Sequence, residues 1–231
     1  ELDMLPFPTM VGTKFYNTQP PVEDATTVER LRSAGALMVG KTNMHEIGLG
    51  VTGLNTHYGT TRNPHHLDHY PGGSSSGSAA AVAAGLCPIA LGLDGGGSIR
   101  IPASLCGVVG LKTTWGRISS AGSAPLSWSL STVGPITSTV RDTALAYSFL
   151  AGPDSRQVLT QDQPPVDLQD FDNSDLTGVR LGVFLPWFNH ASADIVQSCN
   201  QMLDSFKSLG ATVQEIEIPD LDEIRMAHVV S

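Results

Sequence analysis

Two glycine-rich turns present the serine side chains that could do chemistry in this sequence. The first, Gly72–Gly77, contains three consecutive serines beginning at Ser74, and the second, Gly95–Gly97, is followed directly by Ser98. Consecutive glycines expose backbone N–H groups that can surround a developing oxyanion. A serine at the end of such a run could attack the same carbonyl, and a serine in a neighbouring turn could carry the proton. We therefore expect Ser98 to be a nucleophile, Ser74 to be its proton relay and Arg100 to hold the second turn.

Other chemistries fit these turns less well. Ser78 stands where a phosphate-binding P-loop needs a lysine, and the second turn does not have the GxGxxG spacing of a dinucleotide site. The SxxK pair of β-lactamases is absent as well. A Ser-His-Asp triad stays open, because triads assemble in space. Taken singly, Ser74 could be a helix N-cap and Ser98 a turn residue, so it is their combination that favours nucleophilic chemistry.

A histidine-rich segment lies between two prolines just before the first turn. It contains His65, His66, Asp68 and His69, residue types that can bind zinc. Their spacing matches no standard zinc motif. We therefore favour a solvated loop here over a metal site.

Elements of an α/β fold surround the two turns. The alanine-rich segment after Gly77 favours a helix, and the apolar run Pro88–Leu93 favours a buried strand, so both serine turns can meet at one end of a sheet. Residues 151–178 are polar, acidic and proline-bearing, which is typical of a surface connection. Two further helices are predicted, at Asp24–Ala34 with a capping box of Thr26 and Glu29, and at Val140–Leu150 with Ser138 or Thr139 as the cap. Strands are predicted at Ala36–Val39 and Val108–Leu111, and a loop over residues 113–137. A βαβ unit is predicted from strands at Val179–Phe184 and Thr212–Ile218 with a helix at Ala193–Leu209 between them.

The charge and apolar patterns of the sequence bear on its partners and its location. The net charge is −9, and residues 161–231 hold all of it, with 3 basic and 12 acidic side chains. No basic patch appears, which argues against a nucleic-acid partner. The sequence has no signal-peptide pattern and no uninterrupted apolar run long enough for a membrane span, a pattern that favours an intracellular location without establishing it. Three cysteines without a CxxC pair predict reduced thiols.

The segments around both serine turns resemble the amidase signature family of serine hydrolases. The resemblance rests on GGSSSGSAAAVAAG and LDGGGSIRIPASLCGVVGLK, with VGKTNMHEIGLGVTGLNTHYG upstream and PLSWSLSTVGPITSTVRDTALAY downstream. It covers roughly residues 1–218. Within the family, MLPFPTMVGTKF and LDGGGSIR look most like the plant-type fatty acid amide hydrolase branch.

The resemblance implies an amidase with a Ser–cis-Ser–Lys triad that forms an acyl-enzyme and needs no metal or organic cofactor. It implies a three-layer α/β/α fold in which helices cover both faces of a mixed, twisted sheet. The implied domain is a single partial one over residues 1–231, incomplete at both ends. The resemblance also implies that the partner is a small-molecule amide. Membrane-surface association and a homodimer of the parent protein both stay open. The implied site consists of the nucleophile Ser98, the relay Ser74 after a cis peptide bond, oxyanion donors on Gly95, Gly96, Gly97 and Ser98, supporting residues Ser75 and Arg100, and Gly48 lining the acyl site.

Two departures from the family pattern qualify these expectations. Ser76 stands where the family usually has glycine. The family's catalytic lysine lies in a Lys-Asp pair well before the relay serine, and counting back from Ser74 by the family's spacing places it just before Glu1. Lys14, Lys41 and Lys112 do not match that position. We therefore expect residues 1–231 alone to be poorly active. The alternatives are a non-catalytic fragment or degenerate binding protein, and a glutamine amidotransferase subunit of the same family.

Overall fold

A computed structural model describes residues 1–124 and 127–230 of the chain. It forms two compact units, the first over Glu1–Val166 and the second from Asp167 onward. Residues 125 and 126 of the predicted 113–137 loop, and residue 231 of the predicted βαβ segment, lie outside the described residues. No described helix is long and apolar enough to cross a membrane.

The first unit is built on a three-stranded antiparallel sheet. Its strands are β1 (Ile89–Asp94), β2 (Val109–Gly110) and β3 (Thr132–Thr137), and β3 lies between the other two. The register pairs Asp94 with Thr132 at one end of the sheet and Ile89 with Thr137 at the other. The helices of this unit are α1 (Thr26–Ser33), α2 (Ser76–Ala83), α3 (Arg100–Leu105) and α4 (Val140–Leu150), with single 3₁₀ turns at Glu46–Gly48 and Val158–Thr160.

Helices cover both faces of this sheet. Successive side chains of a strand point to opposite faces, so Val133 and Ile136 of β3 enter different apolar clusters. Helices α1 and α4 contribute to the cluster around Val133, and α2 with the residues flanking α3 contributes to the cluster around Ile136. The first cluster contains Leu31, Leu93, Ile118, Val133 and Leu150, and the second contains Ala79, Val82, Ile99, Cys106 and Ile136.

The second unit contains the predicted βαβ segment. Its strands β4 (Arg180–Val183) and β5 (Thr212–Glu215) are parallel, and α6 (Ala193–Ser208) connects them. Two further helices are α5 (Leu185–Phe188) and α7 (Leu221–Val230). Parallel strands need such a crossover connection, so the pairing confirms the prediction made from the alternating pattern of the sequence.

Three local predictions for the first unit were wrong. Residues 132–137 of the predicted 113–137 loop form β3, whose backbone pairs with strands on both sides. Residues 36–39 do not form a strand: Leu37 and Val39 are 90% and 81% exposed, and no strand within the described ranges pairs with them. The predicted capping box of α1 does not form either, because Ala25 is its N-cap and Thr26 Oγ1 donates to Asp154 instead. The cap of α4 was predicted correctly, since Thr139 Oγ1 accepts the N–H of Asp142 at 3.1 Å.

Candidate active site

The first serine turn enters α2 through a cis peptide bond between Gly73 and Ser74, the bond that the family resemblance implies. Ser74 is 1% exposed. Its carbonyl accepts two backbone hydrogen bonds, from the N–H of His45 at 3.0 Å and from the N–H of Ser76 at 2.8 Å. These bonds fix the backbone of Ser74 against the segment that precedes Gly48.

Gly48 lies directly beside the hydroxyl of Ser74. A Cβ atom added to Gly48 would stand 3.8 Å from Ser74 Oγ and 2.7 Å from Glu1 Oε1. Gly48 also has a φ of +76°, a conformation that side chains rarely adopt. The predicted acyl-site glycine and the predicted relay serine are therefore neighbours, and the Glu1 side chain lies next to them.

A backbone hydrogen bond joins the two serine turns. The N–H of Ser75 donates to the carbonyl of Ser98 at 3.1 Å. The hydroxyl of Ser75 is buried and has no hydrogen-bond partner among the described residues. That hydroxyl lies only 2.5 Å from the position of a Cβ on Gly92 of β1, so α2 and β1 approach each other closely because this strand position lacks a side chain.

Asp94, the last residue of β1, organises the second turn. Its side chain is fully buried. One carboxylate oxygen accepts the N–H of Gly97 at 2.7 Å, and the other accepts the N–H groups of Ile99 at 3.0 Å and Arg100 at 3.2 Å. The guanidinium of Arg100 adds two hydrogen bonds to the same carboxylate, so this single side chain closes the loop that presents Ser98.

The charge on Asp94 is stabilised within this loop. Burial alone would raise the pKa of Asp94, but the hydrogen bonds from Arg100 and from the N–H groups of Ile99 and Gly97 lower it below its ordinary value. The same pairing raises the pKa of Arg100. The N–H of Gly97, one of the four predicted oxyanion donors, is already engaged by Asp94 in this structure.

The other candidate residues lie elsewhere. The ammonium of Lys41 donates to the carbonyl of Pro8 at 3.0 Å. In the histidine-rich segment, His65 Nε2 lies 2.9 Å from the carbonyl oxygen of Cys106, and the rings of His66 and His69 meet edge to face. Across the described ranges no three metal-ligating side chains converge on one point.

A comparison with known protein families identifies the family of this chain. The amidase profile matches residues 2–229, nearly the whole chain. The chain belongs to the amidase family. This result confirms the resemblance read from the serine turns.

Relatives of this amidase chain differ in the activities that their names give. The fatty acid amide hydrolase of Oryza sativa subsp. japonica is 45% identical over 100% of this chain and 39% of its own length. Among solved structures, a glutamyl-tRNA(Gln) amidotransferase subunit of Thermotoga maritima has a TM-score of 0.92 and 36% identity, over 99% of this chain and 51% of its own. The peptide amidase of Stenotrophomonas maltophilia has a TM-score of 0.89 and 35% identity, over 98% and 48%.

These comparisons confirm the predicted α/β amidase fold and the likeness to plant fatty acid amide hydrolases. They also show that this amidase chain spans about half, or less, of the length of the relatives it matches.

Asp94 and Lys112 were not identified as site residues from the sequence. Asp94 could have been recognised, because an aspartate directly before a glycine turn commonly accepts N–H groups two or more residues further on. Lys112 donates to the carbonyls of Asp94 and Leu130, and no local pattern indicates those contacts.

Proposed function

We propose that the full-length protein hydrolyses carboxylic amide bonds through an acyl-enzyme on Ser98. The hydrogen bond from the N–H of Ser75 to the carbonyl of Ser98 is the observation that best supports this proposal, because it couples the relay turn to the nucleophile turn. Membership of the amidase family supports the same reaction class.

The proposed reaction begins at the hydroxyl of Ser98. Ser98 Oγ attacks the amide carbonyl carbon while its proton passes to Ser74 Oγ, and Ser74 gives its own proton to the base. The tetrahedral oxyanion accepts hydrogen bonds from the N–H groups of Gly95, Gly96 and Ser98, while the Gly97 N–H stays on Asp94. Ser74 then protonates the leaving amine, the C–N bond breaks, and water hydrolyses the ester of Ser98.

We propose a lysine preceding Glu1 in the full-length protein as the base. Glu1 lies beside Gly48 and Ser74, so a residue shortly before it can reach the relay hydroxyl. The ammonium of Lys41 donates to the carbonyl of Pro8, and that of Lys112 donates to the carbonyls of Asp94 and Leu130. Residues 1–231 alone are expected to turn over poorly, because they do not contain the proposed base. The loss of one oxyanion donor costs on the order of 100- to 1,000-fold, and we expect the loss of the base to cost at least as much.

A fluorophosphonate probe tests the nucleophile. The probe is expected to label Ser98 of the full-length protein and to leave the Ser98→Ala variant unlabelled. Labelling that persists in Ser98→Ala would refute the assignment. Robust amide hydrolysis by residues 1–231 alone would show that the base is misplaced.

A fatty acyl amide is the substrate class we propose. The fatty acid amide hydrolases among the relatives support it, and so do the exposed apolar side chains on either side of Gly48, namely Ile47, Leu49 and Val51 at 42%, 64% and 51% exposure. An apolar chain that covered them would gain about 25 cal/mol per Å² of buried apolar surface.

A second candidate is an amidotransferase component that releases ammonia from glutamine. The similarity to the amidotransferase protein of Thermotoga maritima favours it. An activity screen that compares glutamine with long-chain acyl amides separates these two candidate functions.

A non-catalytic binding protein is the third candidate. The sequence upstream of Glu1 tests it, because a Lys-Asp pair there would support catalysis. Membrane-surface association and homodimer formation stay predictions.

A further inference from the structure

Lys112 makes contacts that the proposed proton path does not use. It follows β2, and its side chain is 21% exposed. Its ammonium donates hydrogen bonds to two backbone carbonyls, those of Asp94 and Leu130, the second at 2.6 Å. The same ammonium lies 3.8 Å from the carboxylate of Asp94. One cation therefore binds both the end of β1 and the end of a separate turn.

The carbonyl of Asp94 belongs to the same peptide unit as the N–H of Gly95. A peptide unit is planar, and in its trans form the C=O and N–H bonds point in opposite directions. A donor that fixes the carbonyl of Asp94 therefore also fixes the direction of the Gly95 N–H. A cation on the carbonyl further polarises the unit and strengthens the N–H as a donor.

The carbonyl of Leu130 belongs to a turn that borders Gly95. This turn closes through the N–H of Ser131, which donates to the carbonyl of Ser127 at 3.0 Å. The hydroxyl of Ser131 lies 3.1 Å from the position of a Cβ on Gly95. Lys112 thus holds together the glycine loop and the turn that packs against it.

We propose that Lys112 is a positioning residue, which orients and polarises the N–H of Gly95 as a donor to the substrate oxyanion. The inference rests on the proposed function, because it assigns a task within the same site. Burial lowers the pKa of Lys112, the adjacent Asp94 carboxylate opposes that shift, and the charge of Arg100 adds to it.

Lys112→Met tests the role, because it keeps most of the apolar stem and removes all three donors. In the full-length protein we expect kcat to fall by roughly 10- to 100-fold, since small misplacements at a reacting centre have effects of that size. KM should change little, because Lys112 does not touch the substrate. The rate of fluorophosphonate labelling of Ser98 should fall in parallel.

Arg30→Met is the matched control. Arg30 is also a cation that binds backbone carbonyls of a loop, those of Leu150, Gly152 and Pro153, and it takes no part in the proposed site. Its removal should lower stability and leave the labelling rate per folded molecule unchanged. Lys112→Arg, which retains charge and donors, should keep a higher rate than Lys112→Met.

Hydrogen exchange gives a readout that needs no catalysis. Exchange of the backbone amides of residues 95–98 should be faster in Lys112→Met than in the wild type, and unchanged in Arg30→Met. If Lys112→Met does not fold, Lys112→Gln replaces it and is judged by the same two measurements.

The outcomes separate this inference from the proposed function. A wild type that is never labelled at Ser98 refutes the proposed function itself. A labelled wild type with a folded Lys112→Met variant of equal labelling rate and equal exchange overturns the role of Lys112 alone. Equal losses in Lys112→Arg and Lys112→Met also overturn it, because the donors would then not matter.

Discussion

The guanidinium of Arg100 donates two hydrogen bonds to the carboxylate of Asp94, from Nε and from Nη2, both 3.0 Å long. The pair is asymmetric, because the Asp94 side chain is fully buried while that of Arg100 is 54% exposed. Three backbone N–H groups bind the same carboxylate. The glycine turn before Ser98 therefore depends on the negative charge of the Asp94 carboxylate, and the partly exposed guanidinium of Arg100 balances that charge.

Asp94→Asn should destabilise the first unit strongly. The amide has no charge and has only one acceptor oxygen for the N–H groups that now share two. Removing one member of a buried ion pair typically costs about 3–5 kcal/mol, and we expect the lower end because Arg100 can still reach water. Urea unfolding measures the change as a lower midpoint at an unchanged slope.

Glu23→Gln is the control for that experiment. Glu23 also pairs with an arginine in the first unit, Arg156, but its side chain is 69% exposed. Exposed pairs contribute about 0.2–1 kcal/mol, so the midpoint should hardly move. Equal destabilisation by both variants would contradict the central place given to Asp94.

The sequence predicted the parts of the site that are continuous along the chain. The two glycine turns, β1, α2 and the affiliation with the amidase family all follow from local composition and motifs. The roles of Ser74 and Ser98 stay predictions, which rest on the glycines that precede each serine in the sequence.

Hydrogen bonds between residues far apart in the sequence were not predictable in the same way. Lys112 reaches the carbonyl of Leu130, 18 residues away, and Thr26 reaches Asp154, 128 residues away. Such bonds depend on how the elements pack in space. Residues 36–39 show the converse, because their apolar pattern indicates a strand, and a strand also requires a partner to hydrogen-bond with it.

Asp154→Asn should make stability less dependent on pH in acid. Burial alone would raise the pKa of Asp154, but hydrogen bonds from Ser119, Thr26 and the N–H of Arg156 lower it. A carboxyl with a lowered pKa in the folded state stabilises fully above its unfolded value of about 3.9, and loses that contribution as the pH falls through the folded value. The free energy of unfolding should therefore fall less steeply below about pH 4 in the variant than in the wild type.

Ser119→Ala refines this comparison. It removes one hydrogen bond to the Asp154 carboxylate, that from Ser119 Oγ, and keeps the charge. Its acid dependence should lie between those of the wild type and Asp154→Asn. Curves for Asp154→Asn and the wild type that run parallel below about pH 4 would contradict the assignment.

Ser74→Ala should leave the nucleophile in place and remove its proton relay. Proton transfer by a positioned group contributes about 100- to 10,000-fold to rate, so kcat for amide hydrolysis by the full-length protein should fall within that range. Ser78→Ala is the matched control, because Ser78 is a buried serine of α2 whose hydroxyl donates to the carbonyl of Leu91. If both variants lose activity equally per folded molecule, Ser74 is not a relay.

Gly97→Ala should distort the loop that presents Ser98. Gly97 has a φ of +126°, a conformation that side chains rarely adopt and that costs about 1–3 kcal/mol. A Cβ would also stand 2.6 Å from Ile101 Cδ1, so the loop has to shift and its N–H bond to Asp94 is weakened. A shift of about 1 Å at a reacting centre can cost about 100-fold, which the labelling rate of Ser98 would report.

Gly85→Ala separates this effect from backbone strain alone. Gly85 follows α2 with a φ of +71°, and a Cβ there would meet no atom within 4 Å. The φ of Gly85 lies in the left-handed region that some side chains adopt, so its conformational cost is smaller than that at Gly97. Only Gly97 belongs to the loop closed by Asp94. We expect Gly85→Ala to lower stability and leave the labelling rate of Ser98 per folded molecule unchanged, and Gly97→Ala to lower both. Equal labelling rates in both variants would mean that the loop tolerates displacement of Gly97, and that Asp94 does not set the position of the nucleophile.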